Sequence, residues 1–214
     1  MKILVTGGTG YIGSHTCVEL LNAGYEVVII DNLYNSKLEV VDKIEQLTNK
    51  KFAFYENDVC DEEAVRRIFT DHKIDAVIHF AGYKAVGESV AKPLMYYQNN
   101  LDSTIVLCKV MNEFNCKRIV FSSSATVYGD PASLPIKEDF PLSTTNPYGT
   151  TKLFIERILT DLQYADKEWS VGLLRYFNPI GAHESGLLGE SPNDIPNNLM
   201  PYIVKVANKE LPHL

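Results

Sequence analysis

Two groups of residues have types and spacings that could do chemistry. Tyr148 and Lys152 stand four apart, and of the 12 tyrosines only Tyr148 has a lysine or arginine four residues further on. Chance supplies about one such pair in a chain of this make-up, so direction says more than spacing. On a helix, Tyr148, Lys152, Ile155, Leu159 and Leu162 share one face, and the lysine travels with the apolar stripe toward a core. An ammonium is costly to bury without partners. Beside a phenol and a nucleotide ribose, its charge together with that of an oxidised, positively charged cofactor would instead draw the tyrosine pKa down from about 10 and let Tyr148 act as a general base. An exposed aromatic beside a snorkelling lysine is the plainer alternative.

The second group is Gly7, Gly10 and Gly13, with Gly8 completing a GxGxxG pattern. One glycine serves a tight turn, one lets backbone approach a pyrophosphate, and one allows close helix packing, all at a helix N-terminus whose dipole favours anions. Asp31 follows 18 residues after Gly13, at the end of the next strand, where a carboxylate can accept both ribose hydroxyls. That arrangement favours NAD over NADP. Asp58 and Val59 stand where they could meet adenine, and Asp58 serves equally well as a turn or capping residue.

The elements that must hold these groups read as alternating strand and helix. Runs at Lys2 to Thr6, Glu26 to Ile30, Phe52 to Glu56, Ala76 to Phe80, Arg118 to Ser122 and Val171 to Arg175 are β-branched or aliphatic and bounded by turn residues. Between them, Ile12, Thr16 and Leu20, then Ala64, Val65, Ile68 and Phe69, then Leu94, Tyr97, Leu101, Ile105 and Cys108 recur at helical spacing. Asn146 as N-cap and Pro147 as first residue start the helix of Tyr148. The fold class expected is α/β, a doubly wound parallel sheet of the Rossmann type covering residues 1–178. After Asn178 the texture turns to a Pro- and Gly-rich loop, Pro179 to Pro196, and then a short helix from about Asn198 to Ala207. Residues 179–214 therefore read as the beginning of a smaller lobe.

Composition narrows the partners. The hydrophobic share of 45% and charged share of 22% are those of a globular chain, and the net charge of −7 without a basic run argues against nucleic-acid binding. Cys17, Cys60, Cys108 and Cys116 lack CxxC spacing and are expected to be reduced core thiols. The five histidines show no metal-ligand spacing, so no metal is expected. No run approaches the roughly 18 apolar residues of a membrane span, and no signal peptide precedes Lys2. The expectation is a cytoplasmic protein without a membrane partner.

Taken together these residues resemble the extended short-chain dehydrogenase/reductase superfamily, and more closely its UDP-hexose 4-epimerases. The likeness runs through GGTGYIGSHT at Gly7 to Thr16, Asp31 and Asn32, HFAGYKAVGESV at His79 to Val90, SSSATVYG at Ser122 to Gly129, YGTTK at Tyr148 to Lys152, LLRYFNPIGAH at Leu173 to His183 and IPNNLMPYI at Ile195 to Ile203. It implies that NAD is held by Gly7, Gly10, Tyr11, Ile12, Gly13, Asp31, Asn32, Asp58, Val59, Phe80, Ala81, Gly82, Lys84, Asn99, Tyr148 and Lys152, with Tyr176 and Phe177 near the nicotinamide. It implies a catalytic group of Ser124, Tyr148 and Lys152. Lys84, Ser124, Tyr148, Asn178, Asn198 and Leu199 would meet UDP-galactose or UDP-glucose. The activity implied is epimerisation at C4 through a 4-keto sugar, in a homodimer paired through the helices starting near Pro93 and Pro147.

Two rival readings require different residues. Nucleotide-sugar 4,6-dehydratases carry Thr-Asp-Glu where Ser124, Ala125 and Thr126 stand, so the acid/base pair for eliminating water is missing here. A non-catalytic NAD-binding module would not need Ser124, Tyr148 and Lys152. Members of the superfamily continue past the position of Leu214, with contacts to the UDP phosphates. A chain ending there is expected to hold NAD and turn over sugar weakly.

Overall fold

The aliphatic runs become six strands: β1 (Lys2–Thr6), β2 (Glu26–Asp31), β3 (Ala53–Glu56), β4 (Ala76–His79), β5 (Arg118–Ser124) and β6 (Ser170–Tyr176). The computed structural model describes residues 1–191, 193 and 198–213. Among these the strands form one sheet in the order β3-β2-β1-β4-β5-β6, and every pairing is parallel. The helices are α1 (Tyr11–Asn22), α2 (Glu39–Thr48), α3 (Glu62–Asp71), α4 (Val86–Ala91), α5 (Pro93–Glu113), α6 (Pro147–Ala165) and α7 (Leu199–Ala207). A short 3₁₀ turn spans Ala125–Tyr128.

From β1 the chain builds outward to β2 and β3, then returns to β4 on the other side of β1. The strand order reverses there, opening a crevice at the carboxyl ends of β1 and β4, where doubly wound sheets bind ligands. Leu4, Val77, Leu107, Phe121 and Ile155 belong to one core with residues of α3, α5 and α6. Val5, Cys17, Ile29 and Ile44 form the other with α1 and α2, and Leu188 joins it from the loop after β6.

Two helices turn a different face inward from the one their apolar spacing suggests. On α5 the buried residues include Tyr96, Asn100, Ser103, Thr104 and Leu107, whereas Leu94 is 81% and Ile105 43% exposed. On α1 the buried set is Gly13, Ser14, Cys17, Val18 and Leu21 rather than Ile12, Thr16 and Leu20. Small and hydrogen-bonded polar side chains let these helices sit close to the sheet, so tertiary contact overrides hydrophobic spacing. Cys60 departs from its expectation too, being only partly buried while Cys17, Cys108 and Cys116 are buried; all four are free thiols.

β5 and β6 run further than their sequence suggests. Ser123 and Ser124 pair with Arg175 and Tyr176. A serine run reads as a turn, but Ser123 Oγ donates to the buried Glu156 carboxylate on α6, which satisfies it inside. Ile195, Pro196 and Asn197 of the expected sugar motif, together with Pro192, Asp194 and Leu214, lie outside the described residues.

Candidate active site

The crevice holds a cavity of about 980 Å³ lined by the loops that follow β1, β2, β4, β5 and β6. Its floor is the glycine loop. Gly7 has φ +69°, and a Cβ on it would lie 2.8 Å from the Ala81 backbone nitrogen. A Cβ on Gly13 would lie 2.2 Å from Gly7 O, so the first turn of α1 packs directly on the loop. Helix α1 begins at Gly10 with no side-chain cap and no acidic residue in its first turn. By contrast, α3 is capped by Asp61 and carries Glu62 and Glu63 there. The uncapped first-turn N–H groups of α1 open onto the cavity and form a cradle for a diphosphate.

Asp31, 8% exposed, closes the next wall. Its Oδ2 accepts from Thr9 N (3.1 Å), and its Oδ1 from Leu33 N (2.9 Å) and Ser36 Oγ (3.1 Å). The carboxylate thus organises the β2 loop as well as lining the cavity. Asp58 combines both of its readings. Its Oδ1 accepts from Cys60 N to shape the turn, while Oδ2 accepts from Asn32 Nδ2 at the cavity wall.

Lys152 is only 5% exposed, as the helical spacing requires. Its Nζ donates to Ser122 O at 2.8 Å and lies 4.8 Å from the Phe121 ring centroid and 5.8 Å from that of Tyr148. Burial draws its pKa down to about 8. The expected fall of the Tyr148 pKa depends on the charges of Lys152 and of the bound oxidised cofactor, and the protein's own surroundings act against it. Burial pushes it above the ordinary value of 10, and a hydrogen bond with Ser124 pulls only part of the way back. A phenol in a low-dielectric pocket resists ionisation, and the lysine's own charge is disfavoured by the same burial.

Ser124 is both a turn residue and a member of this group. Its Oγ accepts from Thr126 N (3.2 Å) and from Thr126 Oγ1 (2.9 Å), capping the 3₁₀ turn. Behind it, His79 is held neutral with its pKa lowered to about 3 by burial, then by the Lys152 charge, between Thr6 Oγ1 (2.7 Å) and Thr104 Oγ1 (3.1 Å). Asn100 donates to Tyr83 O and Thr151 Oγ1, both at 3.0 Å, and accepts from Tyr83 N at 2.8 Å. It ties the loop after β4 to α6 beside Lys152.

Every cofactor-binding residue expected from the sequence lines this cavity, as do Ser124, Asn178 and Asn198. Leu199 does not; it begins α7 and is 65% exposed. Residues the sequence reading missed are Asn100, Thr126 and Glu190. Glu190 Oε1 accepts from Asn198 Nδ2 (2.6 Å) and pairs with Lys84 Nζ (3.6 Å). Only an amide beside Asn99 in an otherwise amphipathic helix hinted at Asn100; Thr126 and Glu190 sit in contexts that read as turn and loop. Among the described residues no group of His, Cys, Asp or Glu is gathered that could hold a metal ion, and no helix is long and apolar enough to cross a membrane.

A doubly wound sheet with an uncapped glycine turn at its switch point and a tyrosine, serine and buried lysine across the crevice defines a class of nucleotide-dependent enzymes on the Rossmann plan. The chain belongs to the NAD dependent epimerase/dehydratase family, which matches residues 3–213. It is 63% identical to the UDP-glucose 4-epimerase of Bacillus subtilis (strain 168) over 214 residues, all of this chain and 63% of that protein. The crystal structure of UDP-glucose 4-epimerase from Bifidobacterium longum in complex with NAD+ and UDP superposes with a TM-score of 0.97 at 59% identity, covering 99% of this chain and 63% of the other. The Stenotrophomonas maltophila enzyme with bound NAD and formylated UDP-arabinopyranose gives 0.96 at 46% identity, again over 99% of this chain and 63% of that one.

Proposed function

We propose that this chain carries the cofactor site and catalytic group of an NAD-dependent epimerase acting at C4 of a UDP-hexose and interconverting UDP-galactose and UDP-glucose. The observation that carries the reading is the meeting of Ser124, Tyr148 and Lys152 in the same cavity as the uncapped N-terminus of α1. Gly7, Gly10, Tyr11, Ile12 and Gly13 would take the NAD diphosphate, with Asp31 on the adenosine ribose. The loop from Phe80 to Lys84, Asn99 and Lys152 would take the nicotinamide half. NAD is preferred to NADP because a 2′-phosphate would face the Asp31 carboxylate. The chemistry NAD supplies when bound is the acceptance and return of a hydride at C4. Tyr148 takes the proton of the sugar 4-hydroxyl, Ser124 hydrogen-bonds the same oxygen, and the buried Lys152 charge favours the phenolate once the site is filled.

Asn178 and the segment after it supply the sugar side, with Asn198 among the donors. Elimination across C5 and C6 is disfavoured because Ala125 and Thr126 offer no carboxyl group. The exposed Leu94, Ile105 and Phe154 on the adjoining helices α5 and α6 support a homodimer, and the free thiols suit the cytoplasm.

Tyr148→Phe tests the assignment. It should keep NAD while slowing hydride transfer from UDP-galactose by about 10² to 10⁴, followed as nicotinamide fluorescence. A Phe variant as fast as the unchanged chain removes Tyr148 from the mechanism.

A further inference from the structure

Ser124 ends β5 and Tyr148 opens α6, and the residues from Gly129 to Asn146 between them form no helix or strand. A connection of that length does not by itself fix its two ends against each other. One side chain from a third element reaches both. Arg175 on β6 pairs in register with Ser123, one residue before the pairing of Ser124 with Tyr176. Its Nε donates to Glu156 Oε1 at 3.0 Å and its Nη2 to Glu156 Oε2 at 2.8 Å, a two-pronged bond to the carboxylate. Its Nη1 donates to Tyr128 OH at 2.9 Å and to Glu138 O at 3.1 Å, and the guanidinium carbon lies 4.9 Å from the Tyr128 ring centroid. Tyr128 closes the 3₁₀ turn after Ser124, and Glu138 lies in the connection that leads to α6. Glu156 stands one turn after Lys152 on α6 and also accepts from Ser123 Oγ, while Lys152 donates to Ser122 O. Two successive residues of β5 are thus tied to two successive turns of α6, immediately before Ser124.

We propose that Glu156 and Arg175 are positioning residues, a clamp outside the cavity that holds Ser124 at the end of β5 against Tyr148 at the start of α6. The proposal rests on the epimerase reading for its meaning, because there the two hydroxyls must meet one sugar oxygen. Neither clamp residue lines the cavity, so neither touches cofactor or sugar. The Glu156 side chain is 5% and that of Arg175 18% exposed, so the pair bears a desolvation cost that apolar packing of the same volume would avoid. What it secures in return is geometry. A lysine at 175 would bring a point charge to the carboxylate, and it would lack the planar fork that reaches Tyr128 and Glu138 at the same time.

The test is Arg175→Lys, which keeps the charge and removes the fork. Crystal structures of the parent and variant chains with NAD read the geometry without turnover. The separation of Ser124 Oγ from Tyr148 Oη should change by about 0.5 Å or more, the tolerance within which such groups must be held, while the glycine loop stays in place. Reduction of bound NAD at saturating UDP-galactose should slow by about 10- to 100-fold, the scale of a misplacement of that size. NAD affinity and the UDP-galactose concentration for half-saturation should stay within about twofold, because the clamp lies outside the cavity. An unchanged separation overturns the proposal, and so does an NAD affinity that falls as far as the rate. If Arg175→Lys fails to fold, Glu156→Leu combined with Arg175→Met removes both charges together, which buried pairs tolerate better than the loss of one, and the same separation is measured. If UDP-galactose reduces NAD in neither chain, the epimerase reading fails, and the separation still decides the clamp.

Discussion

The two halves of the cavity are built differently. The half that meets the glycine loop is made of strand ends whose register is locked by the parallel ladder, and its critical contacts are backbone against backbone, as where Gly13 meets Gly7 O. The half formed after β6 hangs on a few long-range side-chain contacts. Tyr11 OH donates to Gly181 O at 2.6 Å, Asn193 Nδ2 donates to Ser36 O at 3.1 Å, Glu190 bridges Lys84 and Asn198, and Leu188 plugs into the core. Phe177 is 60% exposed, and α7 buries none of its residues. A site assembled this way offers one ligand rigid backbone and another side chains that can rearrange, in line with the proposed cofactor and the sugar that the proposed reaction must turn.

Three changes would sharpen or break that contrast. The largest effect is expected from Gly13→Ala, because the new methyl collides with backbone that has nowhere to go. NAD affinity should fall by about 10² or more in a fluorescence titration. An affinity within threefold of the unchanged chain would mean that the loop yields, and that the rigid half is not rigid. Next comes Lys152→Met. Burial lowers the folded pKa of Lys152 from 10.5 to about 8, so below pH 8 the folded chain bears the full cost of holding that charge. Between pH 8 and 10.5 the unfolded chain binds more protons, and stability rises with pH by up to about 1.4 kcal/mol per unit. The Met variant should be more stable in urea at pH 7, by about 1 to 3 kcal/mol, should lack that rise, and should lose NAD binding. A variant less stable than the parent at pH 7 would show that the bond to Ser122 outweighs desolvation. The smallest effect belongs to Glu190→Gln, which weakens one half-exposed ion pair worth less than about 1 kcal/mol. Calorimetry should find NAD affinity unchanged within twofold and UDP affinity altered up to about fivefold, with the difference shrinking in salt. A larger change for NAD than for UDP would erase the division between the halves.

Much of this was legible before any coordinates. The six strands fall where β-branched runs predict them, to within two residues at either end, because a parallel sheet covered on both faces demands apolar strands. The glycine turn, Asp31 and the inward lysine were legible because each solves a local problem that only a few residue types can solve. The inward faces of α1 and α5 were not, since Asn100, Ser103 and Thr104 are buried through partners far away in sequence and their polarity reads locally as surface.

The sequence by itself determined the alternation of strand and helix, the phosphate turn and the side of α6 that carries Tyr148 and Lys152, all of which follow from periodicity and backbone sterics within a few residues. Only the tertiary structure decided the direction in which those groups lean. It buries Tyr148 so that the protein's own groups raise its pKa, places the Thr126 N–H and hydroxyl on Ser124, and brings Glu190 from beyond β6 to Lys84 after β4. The physical reason is that desolvation and hydrogen-bond saturation depend on everything that surrounds a group, and those surroundings are assembled from segments the chain order keeps far apart.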